Sequence, residues 1–177
     1  GECFVQKVIG GILILSATAG AGVVYGNELK RYLRNMVYLR YVFGLIRGEI
    51  EYTCAPLPEI FFGVSARVKE PYRRWLKKTA EEMECRDLSG FARVWNRCTD
   101  KYLEIPGLKQ EHKILIKKPP GTFLGSFEKD ISDRAMEMYL NKMDLEIEKL
   151  RAELASKVKV GRCLGVMAGL FFIVLLI

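Results

Sequence analysis

The single histidine, His112, and the five cysteines, Cys3, Cys54, Cys85, Cys98 and Cys163, are the first residues to test for chemistry. One imidazole excludes any site that needs two, an H-E-x-x-H zinc site included. A Cys/His couple needs a third group to orient it, and no neighbour of His112 in sequence supplies one. The cysteine count is odd and no pair has C-x-x-C spacing. That is a poor disulfide framework and suits a reducing compartment for the middle of the chain. Gly121-Thr122-Phe123-Leu124-Gly125-Ser126 has the glycines of a phosphate loop but lacks the lysine that would reach the phosphates. No catalysis, cofactor or metal is therefore expected. Two basic clusters remain: Arg73, Arg74, Lys77, Lys78 and Lys113, Lys117, Lys118. They read first as solvated helix faces and next as surfaces for anionic lipid headgroups. Exposed aromatics do not interleave with them and no nucleic-acid module is visible, so nucleic acid is not an expected partner.

The charge pattern says what must carry these residues. Net charge is +7 over 177 residues, yet residues 8–27 and 163–177 carry no charge at all. The first run, VIGGILILSATAGAGVVYGN, reaches about 30 Å as a helix, one hydrocarbon thickness. A cleaved signal peptide is the rival reading, with Lys7 as its basic start, Val8–Ser16 as its apolar stretch and a small-residue site at Ala17-Thr18-Ala19 or Ala19-Gly20-Ala21. Two features favour a retained anchor. The apolar run continues through Val23-Val24-Tyr25, and Lys30, Arg31 and Arg34 follow at once. The second run, CLGVMAGLFFIVLLI, comes close to spanning when counted from Val160 with Arg162 snorkelling to the headgroups.

Basic residues flank both runs on their inner sides: Lys30, Arg31, Arg34 and Arg40 after the first, Lys157, Lys159 and Arg162 before the second. The expected layout is a short extracytoplasmic tail at 1–7, a transmembrane helix at 8–27, a cytoplasmic bundle at 28–162 and a C-terminal transmembrane helix at 163–177. Both termini would then lie outside the cell membrane, with lipid as a partner. Thr18, Gly22 and Gly26 line one small-residue stripe, and Gly161, Gly165 and Gly169 line another. Such stripes let helices approach closely in lipid, within one chain or between chains, although glycine is also simply common in membrane helices.

The middle region shows helical periods and no convincing alternation. Tyr32, Met36, Leu39, Phe43, Ile46 and Ile50 form a heptad-like seam over 28–52. Val37, Tyr41 and Val42 widen it, which predicts burial on more than one side. Met136, Leu140, Met143, Ile147, Leu150 and Leu154 form a matching seam over 133–159. The two fit an antiparallel pair. Four shorter helices are expected between them: Glu59–Val68 after Pro58; Tyr72–Cys85 after Pro71, with Trp75, Leu76, Thr79, Ala80 and Met83 inward; Gly90–Tyr102 capped by Ser89; and Leu108–Ile116, broken by Pro119-Pro120. The fold class is all-α, a bundle of about six helices carried by an anchor at each end.

Several segments resemble the stage III sporulation protein AB family. KVIGGILILSATAGAGVVYGNELKRYLR is similar to its opening anchor and basic exit. Glu49-Ile50-Glu51-Tyr52 and Pro56-Leu57-Pro58-Glu59 resemble its E-I-x-Y and P-L-P-E signature, Trp95 stands where the family places an aromatic, and Arg162-Cys163-Leu164-Gly165-Val166 opens a similar closing anchor. One region departs: Pro119-Pro120 interrupts the fourth short helix, and Phe127-Glu128-Lys129-Asp130 replaces the usual residues. The resemblance implies a non-enzymatic component of the channel between mother cell and forespore, in the mother-cell membrane around the forespore. It also implies a bundle similar to the platform proteins of type II secretion and type IV pili. The other stage III sporulation A proteins would be its partners, above all the cytoplasmic ATPase stage III sporulation protein AA, and a homo-oligomer is compatible with the same role. Glu49, Tyr52, Pro56, Leu57, Pro58 and Glu59 are the candidate partner-binding residues, with turn geometry alone as the plainer account of them. A signal-cleaved, C-terminally anchored envelope-binding module is the alternative from a different class.

Overall fold

The structure, a computed structural model, describes residues 2–53, 55–85, 90–118 and 129–176. Six helices make up its regular structure: α1 Glu2–Thr53, α2 Leu57–Ser65, α3 Tyr72–Glu84, α4 Phe91–Tyr102, α5 Gln110–Lys117 and α6 Lys129–Leu176. No strand occurs among the described residues. The two long helices each absorb an uncharged run and a seam without a break. Every proline of the chain lies outside them. Their internal glycines weaken a helix by about 1 kcal/mol each, too little to interrupt one that is packed.

The chain divides into two compact units, residues 1–33 with 148–177, and residues 34–147. In the first, Leu29, Tyr32 and Leu150 are buried, while Val160, Leu164, Met167 and Phe171 form an exposed apolar row at helical spacing on α6. Most side chains of 8–27 and 163–177 lie outside the described ones, and so do the surroundings of Gly22, Gly165 and Gly169. Among the described residues no helix is long and apolar enough to cross a membrane.

The second unit is built on the middle of the two long helices. Met36, Leu39, Phe43 and Ile46 of α1 are buried, as are Met136, Leu140, Met143 and Ile147 of α6. Across the antiparallel pair Arg40 donates Nε to Asp144 Oδ1 and Nη2 to Oδ2, both at 2.9 Å. Phe43 meets Tyr139 at 5.0 Å between ring centroids. The short helices add one inward face each. Trp75, Leu76, Thr79 and Ala80 of α3 are buried while Arg73, Arg74 and Lys77 point out, and α4 buries Val94, Trp95, Cys98 and Thr99. Both follow from apolar residues recurring every three to four positions.

The structure moves several expected boundaries. The first short helix runs Leu57–Ser65, not Glu59–Val68. Pro56 takes the N-cap with φ −62° and ψ 147°, which its ring favours, and Pro58 sits in the first turn, where a missing N–H costs nothing. At the other end Ser65 Oγ donates to Phe62 O at 2.7 Å and the Arg67 N–H to Val64 O at 3.0 Å, tightening the chain out of α-helix. The N-cap of α4 is Gly90 at φ +80°, a left-handed conformation that glycine adopts without strain, and Ser89 lies outside the described residues. The last short helix starts at Gln110 because Gly107, at φ +75°, turns the chain just before it. Met83 is only half-buried. Val42 is buried as expected, but Val37 and Tyr41 are exposed. Within the described chain α1 is therefore not covered on that further side.

Candidate partner surface at the α1–α2 turn

The candidate residues meet where α1 gives way to α2. Thr53 Oγ1 donates to Glu49 O at 2.7 Å and accepts from the Ala55 N–H at 3.4 Å, closing the end of α1. The Ile60 N–H donates to Pro56 O at 3.2 Å, opening α2. The Glu49 carboxylate pairs with the Arg67 guanidinium and so ties α1 to the segment after α2. Glu51 pairs with Arg47 one turn back, at 2.8 Å. The structure thus divides the predicted set. Glu49 and Pro56 hold the turn, Leu57 and Pro58 are half-buried against it, and Tyr52 and Glu59 face outward. Tyr52 is 92% exposed, a large ring with little protein around it.

This turn stands on an aromatic core. Trp95 lies 4.7 Å from Trp75, 5.7 Å from Phe91, 5.9 Å from Phe61 and 6.0 Å from Phe43. Both indoles keep their N–H satisfied: Trp95 Nε1 donates to Ile116 O at 2.9 Å and Trp75 Nε1 to Thr99 Oγ1 at 3.2 Å. Tyr72 OH donates to Asn35 O at 3.1 Å and Tyr139 OH to Leu115 O at 3.3 Å. Burial raises the pKa of both phenols, with the nearby Tyr38 adding to the effect at Tyr72. Each of these four side chains bonds a backbone or hydroxyl partner, as burial requires.

Of the residues first tested for chemistry, Cys54 and the side chain of Cys3 lie outside the described ones. His112 is buried, with Nε2 3.5 Å from Glu146 Oε2. Among the described residues no group of His, Cys, Asp and Glu could hold a metal ion. Cys85, Cys98 and Cys163 are free thiols. Burial pushes the Cys98 thiol up to about 11. Since the thiolate is the reactive form, brief alkylation at pH 8 is expected to label exposed Cys85 and leave Cys98 unmodified, read by peptide mass spectrometry. Labelling of Cys98 at the same rate would mean that the α3–α4 contact opens freely.

Of the two basic clusters, Lys113 and Lys117 are partly neutralised. They reach Asp100 at 3.1 and 2.6 Å. Lys117 first, then Lys113, holds the Asp100 carboxyl below its ordinary value of 3.8. A lowered folded value adds stability that is present above the unfolded value and lost as pH falls through the folded one. The groups are half exposed, so the effect is that of a surface pair. Asp100→Asn is expected to cost about 0.2–1 kcal/mol at pH 7. The difference should hold down to about pH 4, where the unfolded carboxyl begins to take up a proton, and shrink to nothing only as pH falls on through the lower folded value, as followed by urea melts across pH. Asp100 also lines a cleft of about 520 Å³ with Thr99, Leu103, Ile105, Leu108 and Lys113.

Periodicity could not reveal Arg67 and Asp144, because each acts across a long sequence separation. The glycine stripes give a different result. At Gly26 and Gly161 nothing lies within 4 Å of where a Cβ would stand, so neither is needed for close packing inside the described chain.

The class these observations define is an all-α bundle on two long antiparallel helices, filled in by four short ones. The chain belongs to the stage III sporulation protein AB family, which matches residues 7–177. A solved structure of a stage III sporulation protein AB has a similar fold, with a TM-score of 0.60 and 15% identity, covering 68% of this chain and 94% of that one. At that identity the likeness speaks for the fold alone. Among curated proteins none matches the chain.

Proposed function

We propose that this chain is a non-enzymatic membrane platform of the sporulation channel between mother cell and forespore. Residues 8–27 and 163–177 anchor it in the mother-cell membrane. Residues 28–162 form a cytoplasmic bundle that couples the ATPase stage III sporulation protein AA to the transenvelope assembly. The observation that carries this reading is family membership over nearly the whole chain. The apolar row Val160, Leu164, Met167 and Phe171 supports the anchoring. Such a row is costly against water and neutral against lipid tails. The basic exits from both uncharged runs support the orientation.

The outward residues of the α1–α2 turn are the proposed ATPase contact. Tyr52 offers a large ring with a polar tip, the kind of side chain that dominates binding energy at interfaces, and Glu59 supplies an exposed charge in the first turn of α2. Glu49 acts indirectly by pairing with Arg67. The test is retention of the ATPase on the purified full chain in detergent. Tyr52→Ala with Glu59→Lys is expected to weaken retention at least about tenfold, given the worth of an interface tyrosine, with the helical circular dichroism unchanged. Unchanged retention would sink this contact.

A further inference from the structure

The two basic clusters of the chain fare differently. Lys113 and Lys117 share Asp100. At the start of α3 the cations keep their charge. Arg73 and Arg74 stand in its first turn and Lys69 just before it, all exposed, and among the described residues none of the three makes an ion pair. Arg73 gives its Nε to Val68 O at 3.1 Å, one of the five donors of its guanidinium. The acid among them is Glu70, whose Oε2 accepts the Arg74 backbone N–H at 3.4 Å.

Aromatic contacts hold this cluster against one end of the bundle. The Lys69 amine lies 4.3 Å from the centroid of the Tyr38 ring, and the Lys69 N–H donates to Tyr38 OH at 3.0 Å. The Tyr72 ring lies 5.0 Å from that of Tyr38, and its OH donates to Asn35 O at 3.1 Å. Arg34, exposed, is one turn before Tyr38 on the same side of α1. From there α3 runs on toward the middle of α1, where Trp75 meets Phe43 at 6.2 Å. Arg34, Lys69, Arg73 and Arg74 thus gather at the level of residues 34–38, with one carboxylate for four cations.

That level is close to where the first uncharged run ends. Asn35 is eight residues past Asn27, about 12 Å as helix. The headgroup layer adds about 5–8 Å beyond the hydrocarbon on each side of a bilayer. The field of an anionic surface reaches about 10 Å further at 0.1 M salt. Long arginine and lysine side chains at this level are within that field.

We infer that Arg34, Lys69, Arg73 and Arg74 form a docking surface for the anionic phospholipid headgroups of the membrane that the chain enters. The inference rests on the proposed anchoring by residues 8–27. It selects the α3 cluster over the one that Asp100 neutralises, and it holds the start of α3 at the membrane surface. Each such basic residue strengthens attachment to an anionic leaflet about fivefold.

The test places the full chain in lipid nanodiscs, whose two faces are both open, so that its orientation does not matter. One set is phosphatidylcholine alone and the other contains about one-third phosphatidylglycerol, an anionic lipid. Brief acetylation, read by peptide mass spectrometry, compares Lys69 with Lys118, exposed at the end of α5. The anionic discs are expected to slow labelling of Lys69 at least about threefold and to leave Lys118 unchanged, and the protection should vanish at about 1 M salt, where screening acts over about 3 Å. Arg73→Gln with Arg74→Gln should abolish the protection at unchanged helical circular dichroism. Arg73→Lys with Arg74→Lys, which keeps the charge, should retain it. A chain that does not enter the discs would overturn the anchoring and this docking with it. Entry with equal labelling of Lys69 in both discs, or with protection that survives the glutamine pair, would overturn the docking alone.

Discussion

Trp95→Ala is expected to destabilise the bundle by about 3–5 kcal/mol, the usual cost of removing a buried aromatic ring. Trp95 is fully buried and packs against Trp75, Phe43, Phe61 and Phe91, which come from α3, α1, α2 and α4 itself. The substitution also leaves Ile116 O without its indole donor, whose bond at 2.9 Å reaches α5. One residue therefore links four other helices. Total stabilities are about 5–15 kcal/mol, so the loss is a large share. Denaturant melts of the purified full chain in detergent would measure it. Trp95→Phe separates the two contributions. It keeps much of the ring packing and loses the hydrogen bond, and should cost about 1–3 kcal/mol. A melt of Trp95→Ala within about 1 kcal/mol of the parent would mean that the aromatic cluster is not the centre of the fold.

Met143→Asp is expected to be more damaging still. Met143 has no exposed surface, and it lies in the seam of α6 beside Asp144, which pairs with Arg40 of α1. A carboxylate there is either buried without a partner or protonated at a cost. Unpaired buried charges cost about 3–5 kcal/mol, to which the lost methionine packing adds. The sum approaches the whole stability, so the expected readout is failure to accumulate folded protein in cells. Met143→Leu conserves volume and should stay within about 1.5 kcal/mol of the parent. Normal accumulation of Met143→Asp would mean that the two seams do not face each other.

Both predictions rest on features that differ in how far the sequence discloses them. The seams were legible because burial every three to four residues is a one-dimensional signal. Tyr32 through Ile46 and Met136 through Leu150 are buried as their spacing predicts. Trp75, Leu76, Val94 and Trp95 were legible for the same reason. The Arg40–Asp144 pair was not, because a charge on a helix flank is the same in sequence whether it meets water or a partner. Helix ends were the weaker part, since Pro56, Gly90 and Gly107 act through backbone conformation, not through composition. The outer face of α1 is the most informative difference. The apolar pattern at Val37 and Tyr41 predicts burial, and the described chain leaves both exposed, Tyr41 with its ring 5.7 Å from that of Tyr38. At the α1–α2 turn the signature residues were visible, but their division into holders and presenters needed Arg67, a residue no local pattern marks.

The central claim is a bundle on the cytoplasmic side of a membrane that both ends of the chain enter. Protease accessibility tests it directly, with one tag in the bundle and one at the C-terminus, on intact and then on lysed protoplasts. The account predicts that the bundle is cut only after lysis while the C-terminal tag is removed from intact protoplasts. Cutting of the bundle in intact protoplasts would contradict it. An ATPase in the cytoplasm could then not be the partner, and a secreted, C-terminally anchored envelope module would take its place.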